Sequence, residues 1–189
     1  MGRWEPNPRG RLERAAMALF EERGFDQTTA AEIAARAGLT ERTFFRHFAD
    51  KREVLFGGAP QLQELFVAGV AGAPAGLRPI EAVASGLRAS VAMLGDNRER
   101  ASVRQAVVAA NPELQERELI KLATLGAAVG EALRGRGVPE PAASLSAEAG
   151  IAAFKVGFAR WVEPANTRGL GELIAESLDQ LRLVTAGVG

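Results

Sequence analysis

The sequence has no cysteine, no tyrosine and a single histidine, His47. Without thiols the chain can form neither a disulfide framework nor a thiolate metal site, which favours an intracellular protein. It also has no glycine-rich phosphate loop after a strand and no Ser–His–Asp order in a supporting context. We therefore predict no metal, no cofactor and no enzymatic activity.

Long apolar runs are also missing. No window holds an uninterrupted apolar run of the roughly 18 residues that a membrane helix needs. The N-terminus, Met1–Gly10, is polar and contains prolines, unlike a signal sequence. These features predict a cytoplasmic protein with no membrane partner. The length of 189 residues allows one large domain or two small ones with a sizeable core.

The net charge is zero, with 23 basic and 23 acidic side chains. A neutral chain taken alone argues against a nucleic-acid partner, but the placement of the charges weakens that argument. Four basic side chains fall in or just after one helical segment, and two acidic ones oppose them: Arg42, Arg46, His47, Lys51, Glu41 and Asp50. The charge pattern therefore permits DNA binding without requiring it.

The stretch Thr29–Lys51 has the residue spacing of a helix-turn-helix. Ala34 is small enough to let two helices approach, and Gly38 can take the left-handed backbone that reverses the chain. Phe44 can fill the wedge between the helices. The same residues would also suit another compact helical hairpin, which remains the alternative at this point.

Three helix starts are marked by capping residues. Thr29 with Glu32 has the spacing of a capping box, in which each side chain bonds the other residue's backbone N–H. Thr40 is a plausible N-cap for the next helix. Asp50 with Glu53 repeats the capping-box spacing for a helix that follows.

A helix from about Arg9 to Arg23 precedes the motif, and Gly24 ends it. The three helices predict an all-α DNA-binding domain over residues 1–50, with residues 1–8 as a flexible arm. Residues 51–189 have the apolar periodicity of a helical bundle. A helix over about 51–72 would link the two parts, and five further helices make about nine in all.

An ordered set of these residues resembles the N-terminal domain of TetR-family transcriptional regulators, over roughly residues 10–56. The matching positions are Phe20, Gly24, Thr28, Thr29, Ile33, Ala34, Ala37, Gly38, Thr43, Phe45, His47, Phe48, Lys51 and Leu55. Beyond them only the size and the helical rhythm are similar. The family usually has a tyrosine in place of Phe45, and the hydroxyl of that tyrosine contacts phosphate. Phe45 lacks the hydroxyl, and Arg46 offers a charged group that could replace the contact.

The resemblance implies that the second helix of the motif lies in the major groove of duplex DNA. Arg42 is the candidate for base reading, because its planar fork matches guanine O6 and N7. Thr43 would meet a thymine methyl or a phosphate, and Glu41 would accept from a cytosine amine or balance Arg42. The phosphate contacts that it implies are Thr29, His47 and Lys51. The whole predicted set is Thr29, Thr40, Glu41, Arg42, Thr43, Phe45, Arg46, His47 and Lys51.

The last two helices, about 142–161 and 168–184, are amphipathic, so their apolar stripes suit either the core or a dimer interface. The resemblance implies a homodimer that places two copies of the predicted DNA-binding domain, the headpiece, on a palindromic operator. The half-sites of such an operator lie roughly 34–36 Å apart. The predicted interface residues are Phe154, Phe158, Trp161, Leu173, Ile174, Leu178 and Leu181.

The resemblance also implies an effector pocket in the middle of the chain. Candidate wall residues, equally credible as plain core, are Phe66, Val70, Leu87, Met93, Val107, Leu125 and Phe154. We expect a repressor that a small hydrophobic molecule releases by binding one state better than the other. The alternative is a helical ligand-binding or scaffolding dimer without DNA binding, which Phe45 and the near-neutral headpiece favour.

Overall fold

The computed structural model describes residues 7–94 and 97–186, and these ranges contain ten helices and no strand. The predicted all-α class is confirmed. The predicted arm lies outside the described residues, apart from Asn7 and Pro8. The helices are α1 Pro8–Arg23, α2 Ala30–Arg36, α3 Glu41–His47, α4 Glu53–Phe56, α5 Ala59–Ala71, α6 Pro79–Leu94, α7 Arg98–Ala109, α8 Pro112–Gly135, α9 Ala142–Val162 and α10 Leu170–Ala186.

The linking helix predicted over 51–72 is two helices, α4 and α5, which is why ten helices are found where about nine were predicted. Gly57 and Gly58 separate them, and glycine is among the weakest helix formers. Arg9 Nη2 donates to the Gly57 carbonyl at 2.6 Å. Pro60 then occupies an early position of α5, where its missing N–H costs nothing.

The same region is the one described segment, Glu53–Ala71, that is long and apolar enough to span a membrane by length and composition alone. A helix packed in a protein core passes the same test. Phe56 and Phe66 within it are both buried inside the chain, as expected of core residues.

The contacts within the chain define two compact units. Unit 1 comprises residues 1–58 and 100–118, and unit 2 comprises residues 59–99 and 119–189. The division predicted after residue 50 differs, because α4 belongs to the core of unit 1. Val54 and Phe56 are buried there, together with Val107 and Val108 of α7. Two stretches distant in the sequence therefore build one core.

The core of unit 1 has the predicted helix-turn-helix at its centre. Leu12, Ile33 and Phe44 are fully buried, so α1, α2 and α3 share one apolar interior. Gly38 has a φ of 65°, the left-handed conformation that the turn requires. The N–H of Leu39 donates to the carbonyl of Ala34 at 2.8 Å and closes the end of α2.

Glycines mark the closest helix contacts of unit 2, where α5 packs on α6, α6 on α9, and α9 on α10. A Cβ on Gly69 would lie 2.7 Å from the Cα of Gly86, so α5 and α6 approach backbone to backbone. A Cβ on Gly86 would also collide with the ring of Phe66. A Cβ on Gly157 of α9 would lie 3.0 Å from the backbone nitrogen of Ile174 in α10.

We expect Gly86→Ala to lower the free energy of unfolding by about 1–3 kcal/mol, the usual cost of overpacking. Alanine improves helix propensity by up to about 1 kcal/mol, but the new Cβ would lie 2.6 Å from the carbonyl oxygen of Phe66, which cannot rotate away. Urea unfolding would measure the change. Gly135→Ala is the control, since a Cβ there has no neighbour within 4 Å. Equal stability of the two variants would contradict this packing.

Four of the predicted dimer-interface residues belong to the core of unit 2. Trp161, Leu173, Ile174 and Leu178 are 4%, 1%, 3% and 5% exposed within a single chain. Their sides of α9 and α10 face other helices of the same chain, so they offer no surface to a second copy. This corrects the predicted interface at those positions. The remaining three, Phe154, Phe158 and Leu181, are partly exposed.

One of the predicted pocket residues, Val107, lies in unit 1, whereas the other six lie in unit 2. Val107 packs in the core of unit 1, so it cannot line a pocket within unit 2. The others lie in unit 2, where Phe66, Val70, Leu87 and Leu125 are buried and Met93 and Phe154 are partly buried. Their role as pocket walls stays a prediction.

Candidate nucleic-acid interface

The exposed start of α2 is fixed by the predicted capping box. Thr29 Oγ1 accepts from the Glu32 N–H at 3.2 Å, and Glu32 Oε2 accepts from the Thr29 N–H at 2.9 Å. The backbone and side-chain hydrogen bonds from Thr29, with Arg23 nearby, hold the pKa of the Glu32 carboxyl below its ordinary value. The carboxylate is therefore charged at neutral pH and holds the start of α2 in place.

The start of α3 is fixed by Thr40, as predicted. Its hydroxyl accepts from the backbone N–H of Thr43 at 3.2 Å, and the two hydroxyls lie 3.0 Å apart. Phe44 anchors the inner face of α3 in the core, where it is fully buried. The opposite face presents Glu41, Arg42, Phe45 and Arg46, all of which are exposed.

Arg42 and Arg46 are cations without a partner in the described part of the chain, where neither makes an ion pair or a hydrogen bond. Some other exposed arginines of unit 1 are paired, for example Arg36 with Glu22 at 2.5 Å and Arg23 with Glu32 at 2.7 Å. Two positive groups on the outer face of α3 are therefore left for an external anion or base edge.

Phe45 lies between these two arginines in sequence and is 53% exposed. Its ring contacts Phe44 edge-on, with the centroids 5.4 Å apart and the planes at 84°. The contact holds the ring upright on the surface of α3. An exposed ring of this kind suits apolar contact with a thymine methyl group.

His47 ends α3, and its Nε2 is enclosed and has no hydrogen-bond partner among the described atoms. In this orientation the Nε2 does not reach the surface. A phosphate contact by His47 would therefore require its other ring nitrogen or a turn of the ring.

Lys51 is not the free phosphate ligand that the resemblance implied. Its Nζ donates to the carbonyls of Phe25, Thr28 and Asp26 at 2.8, 3.0 and 3.4 Å, which uses all three of its N–H donors. The ammonium also lies 4.2 Å from the centroid of the Phe25 ring. Lys51 therefore fixes the loop that leads into Thr29, and acts on the interface by positioning it.

At the second predicted capping box, Asp50 bonds the Glu53 backbone, although α4 itself begins at Glu53 with Arg52 as its N-cap. Asp50 Oδ1 accepts from the backbone N–H groups of Arg52 and Glu53 at 2.8 and 3.1 Å. Burial raises the pKa of the Asp50 carboxyl, but bonds from Arg52 and from the Glu53 N–H outweigh it and hold the pKa below the ordinary value. The Glu53 carboxylate also pairs with Arg117.

The sequence of this region matches a known family. Residues 13–56 fit the pattern described as bacterial regulatory proteins, tetR family. Residues 13–56 therefore form a helix-turn-helix domain of the TetR-family type. The match begins within α1 and ends at α4, so it includes every side chain of the interface described above.

A curated relative matches part of the chain. Over 88 residues, this chain is 38% identical to the HTH-type transcriptional regulator TcmR of Streptomyces glaucescens. The match spans 47% of this chain and 39% of TcmR.

Solved structures show the same fold over nearly the whole chain. The repressor FadR of Thermus thermophilus, in complex with lauroyl-CoA, is 27% identical with a TM-score of 0.55, covering 96% of this chain and 95% of that one. SmeT of Stenotrophomonas maltophilia, in a complex with triclosan, is 22% identical with a TM-score of 0.63, covering 94% and 90%.

Proposed function

We propose that this chain is a TetR-family transcriptional regulator that binds a palindromic operator as a homodimer and leaves it when a small molecule binds. The observation that carries the proposal is the outer face of α3. There Arg42 and Arg46 are exposed and have no partner among the described residues, on a helix-turn-helix that matches the family.

Three exposed side chains of α3 then have a chemical task. Arg42 is in the first turn, the part of a recognition helix that meets base edges, and reads guanine. Arg46 lies one turn further along and grips backbone phosphate. Phe45 contacts a thymine methyl group, and the start of α2 at Thr29 contacts phosphate.

The proposed effector is a mostly apolar small molecule. Support comes from the similar proteins, since FadR is crystallised with lauroyl-CoA and SmeT with triclosan. The six candidate wall residues of unit 2 are apolar as well. A repressor's release requires the effector to favour a state that no longer fits the operator.

The homodimer is proposed to form through the outer faces of α9 and α10. Both helices carry exposed apolar side chains, namely Leu145, Val156, Leu183 and Val184. The buried residues predicted from the sequence do not contribute. Two such helices from each copy can form a four-helix interface. A DNA partner also places the protein in the cytoplasm.

Selection of bound duplexes from a random pool tests the proposal, with sedimentation to establish that the protein is a dimer. We expect an enriched inverted repeat, whose binding weakens steeply with salt. A candidate effector such as lauroyl-CoA would then be titrated against the selected duplex. A folded dimer that enriches no sequence and shows no salt-dependent duplex binding would instead support the scaffolding alternative.

A further inference from the structure

A groove of about 490 Å³ lies in unit 1, between α1 and the turn that joins α2 to α3. Three arginines line it, Arg11, Arg14 and Arg36, and the other described lining residues are alanine and glycine. None of these lining residues is acidic. The groove therefore concentrates positive charge beside small side chains, which leave room for an anion.

Two of the three arginines are held in place by the protein. Arg11 Nη2 donates to the Ala37 carbonyl and lies 3.5 Å from the Gly38 carbonyl oxygen. Arg36 donates to both carboxylate oxygens of Glu22, at 2.5 and 3.1 Å. Because a guanidinium has five N–H donors, each of them keeps donors for a ligand.

Arg14 is the free member of the group. It is exposed, and within residues 7–94 and 97–186 it makes no ion pair or hydrogen bond. Arg11, Arg14, Ala15 and Ala18 line one face of α1 at helical spacing. The unpaired guanidinium of Arg14 therefore lines the same groove as the guanidinium groups of Arg11 and Arg36, which the protein already holds in place.

The floor of the groove is formed by a glycine whose backbone conformation favours that residue. Gly38 has positive φ, and a Cβ there would lie 2.9 Å from Arg11 Nη2. The absent side chain lets the Arg11 guanidinium lie against the turn. Planar guanidinium groups that converge on a small open space match the oxygens of a phosphate group.

The groove adjoins the start of the base-reading helix. Gly38 is two residues before Thr40, the N-cap of α3, and two residues span at most about 7 Å. That distance is shorter than the width of the major groove that α3 would enter, roughly 12 Å. A phosphate on the sugar–phosphate strand that borders the major groove is therefore the candidate anion for this groove.

We propose that this groove binds a backbone phosphate of the operator duplex, with Arg14 as the ligand that Arg11 and Arg36 assist. The inference rests on the proposed DNA-binding function and adds a contact outside α3. Such a contact positions the protein on DNA and carries no sequence information of its own.

The test compares the full chain with Arg14→Gln on the selected operator and on a scrambled duplex, over a range of salt concentrations. We expect Arg14→Gln to weaken both complexes by the same factor and, because each copy of the dimer loses one contact, to reduce the slope of log affinity against log salt by about 1.8. The weakening should therefore shrink roughly 12-fold between 50 and 200 mM salt. Arg14→Lys keeps the charge and should retain the salt slope.

Arg88→Gln is the matched control, because Arg88 is an exposed arginine of α6 in unit 2, and it should bind as wild type does. Wild-type affinity and slope for Arg14→Gln would overturn the phosphate contact while leaving the proposed function intact. Loss on the operator alone would overturn it too, since phosphates are common to both duplexes. Failure of the wild-type protein to bind any duplex would overturn both proposals.

A thermal-unfolding measurement with inorganic phosphate distinguishes a site for duplex DNA from a site for a free anion. If millimolar phosphate raises the Tm of the wild-type protein but not of Arg14→Gln, and duplex binding is the same for both, the groove is a small-anion site. That outcome would overturn the assignment to DNA.

Discussion

Replacing Arg42 with alanine should weaken operator binding by about 1–3 kcal/mol in each half-site, at the base pair that Arg42 reads. Arg42 is exposed in the first turn of α3 and is unpaired in the described structure, so no internal ion pair must be broken before it meets DNA. Its planar fork can donate twice to guanine. The loss should therefore be confined to the position where a guanine is read.

A panel of duplexes, each with one base pair of the selected operator changed, measures this effect. Wild-type protein should discriminate at the guanine position, and Arg42→Ala should bind all bases there almost equally. Arg46→Ala is the control, for which we expect a similar loss on every duplex and a smaller salt slope. A uniform loss for Arg42→Ala as well would show that Arg42 contacts phosphate instead.

Replacing Arg104 with methionine should lower the free energy of unfolding of unit 1 by about 2–3 kcal/mol. Arg104 Nε donates to the Leu55 carbonyl at 2.7 Å, and its Nη1 pairs with Glu118 at 2.8 Å. Its guanidinium also lies 5.0 Å from the centroid of the Phe56 ring. Methionine keeps much of the apolar volume, so the measured loss reports mainly the polar contacts.

Denaturant unfolding of Arg104→Met, compared with Arg134→Met, isolates this contribution. Arg134 pairs with Glu131 and Glu140, whose side chains are 76% and 45% exposed, whereas the Arg104 and Glu118 side chains are only 23% and 25% exposed. Exposed pairs contribute about 0–1 kcal/mol. Similar losses for the two variants would show that Arg104 is an ordinary surface cation.

The local features of the headpiece could be predicted because neighbouring residues determine them. Gly38 supplies a backbone conformation, Phe44 a wedge, and Thr29 with Glu32 a cap. Each depends on partners within a few positions of the chain. The outer face of α3 follows directly once Phe44 is known to point inward.

Other features depend on partners that are distant in the sequence. The resemblance identified Lys51 as a functional position, but the three carbonyls that it binds belong to the loop before α2. An amphipathic stripe shows that Leu173 and Ile174 are covered, without showing whether the same chain or a second copy covers them. Arg14 gave no signal beyond its place one helical turn from Arg11.

The assembly of unit 1 from two separate stretches restricts how this chain can be recombined with others of the same fold. A fragment that ends at residue 58 would lose Val108 and Leu114, which are 1% and 0% exposed, and would uncover the apolar surface that they fill. A chimaera that transplants the DNA specificity of this chain must therefore carry residues 100–118 along with its N-terminal part. Exchange of α3 side chains alone avoids that constraint, because they lie outside the shared core.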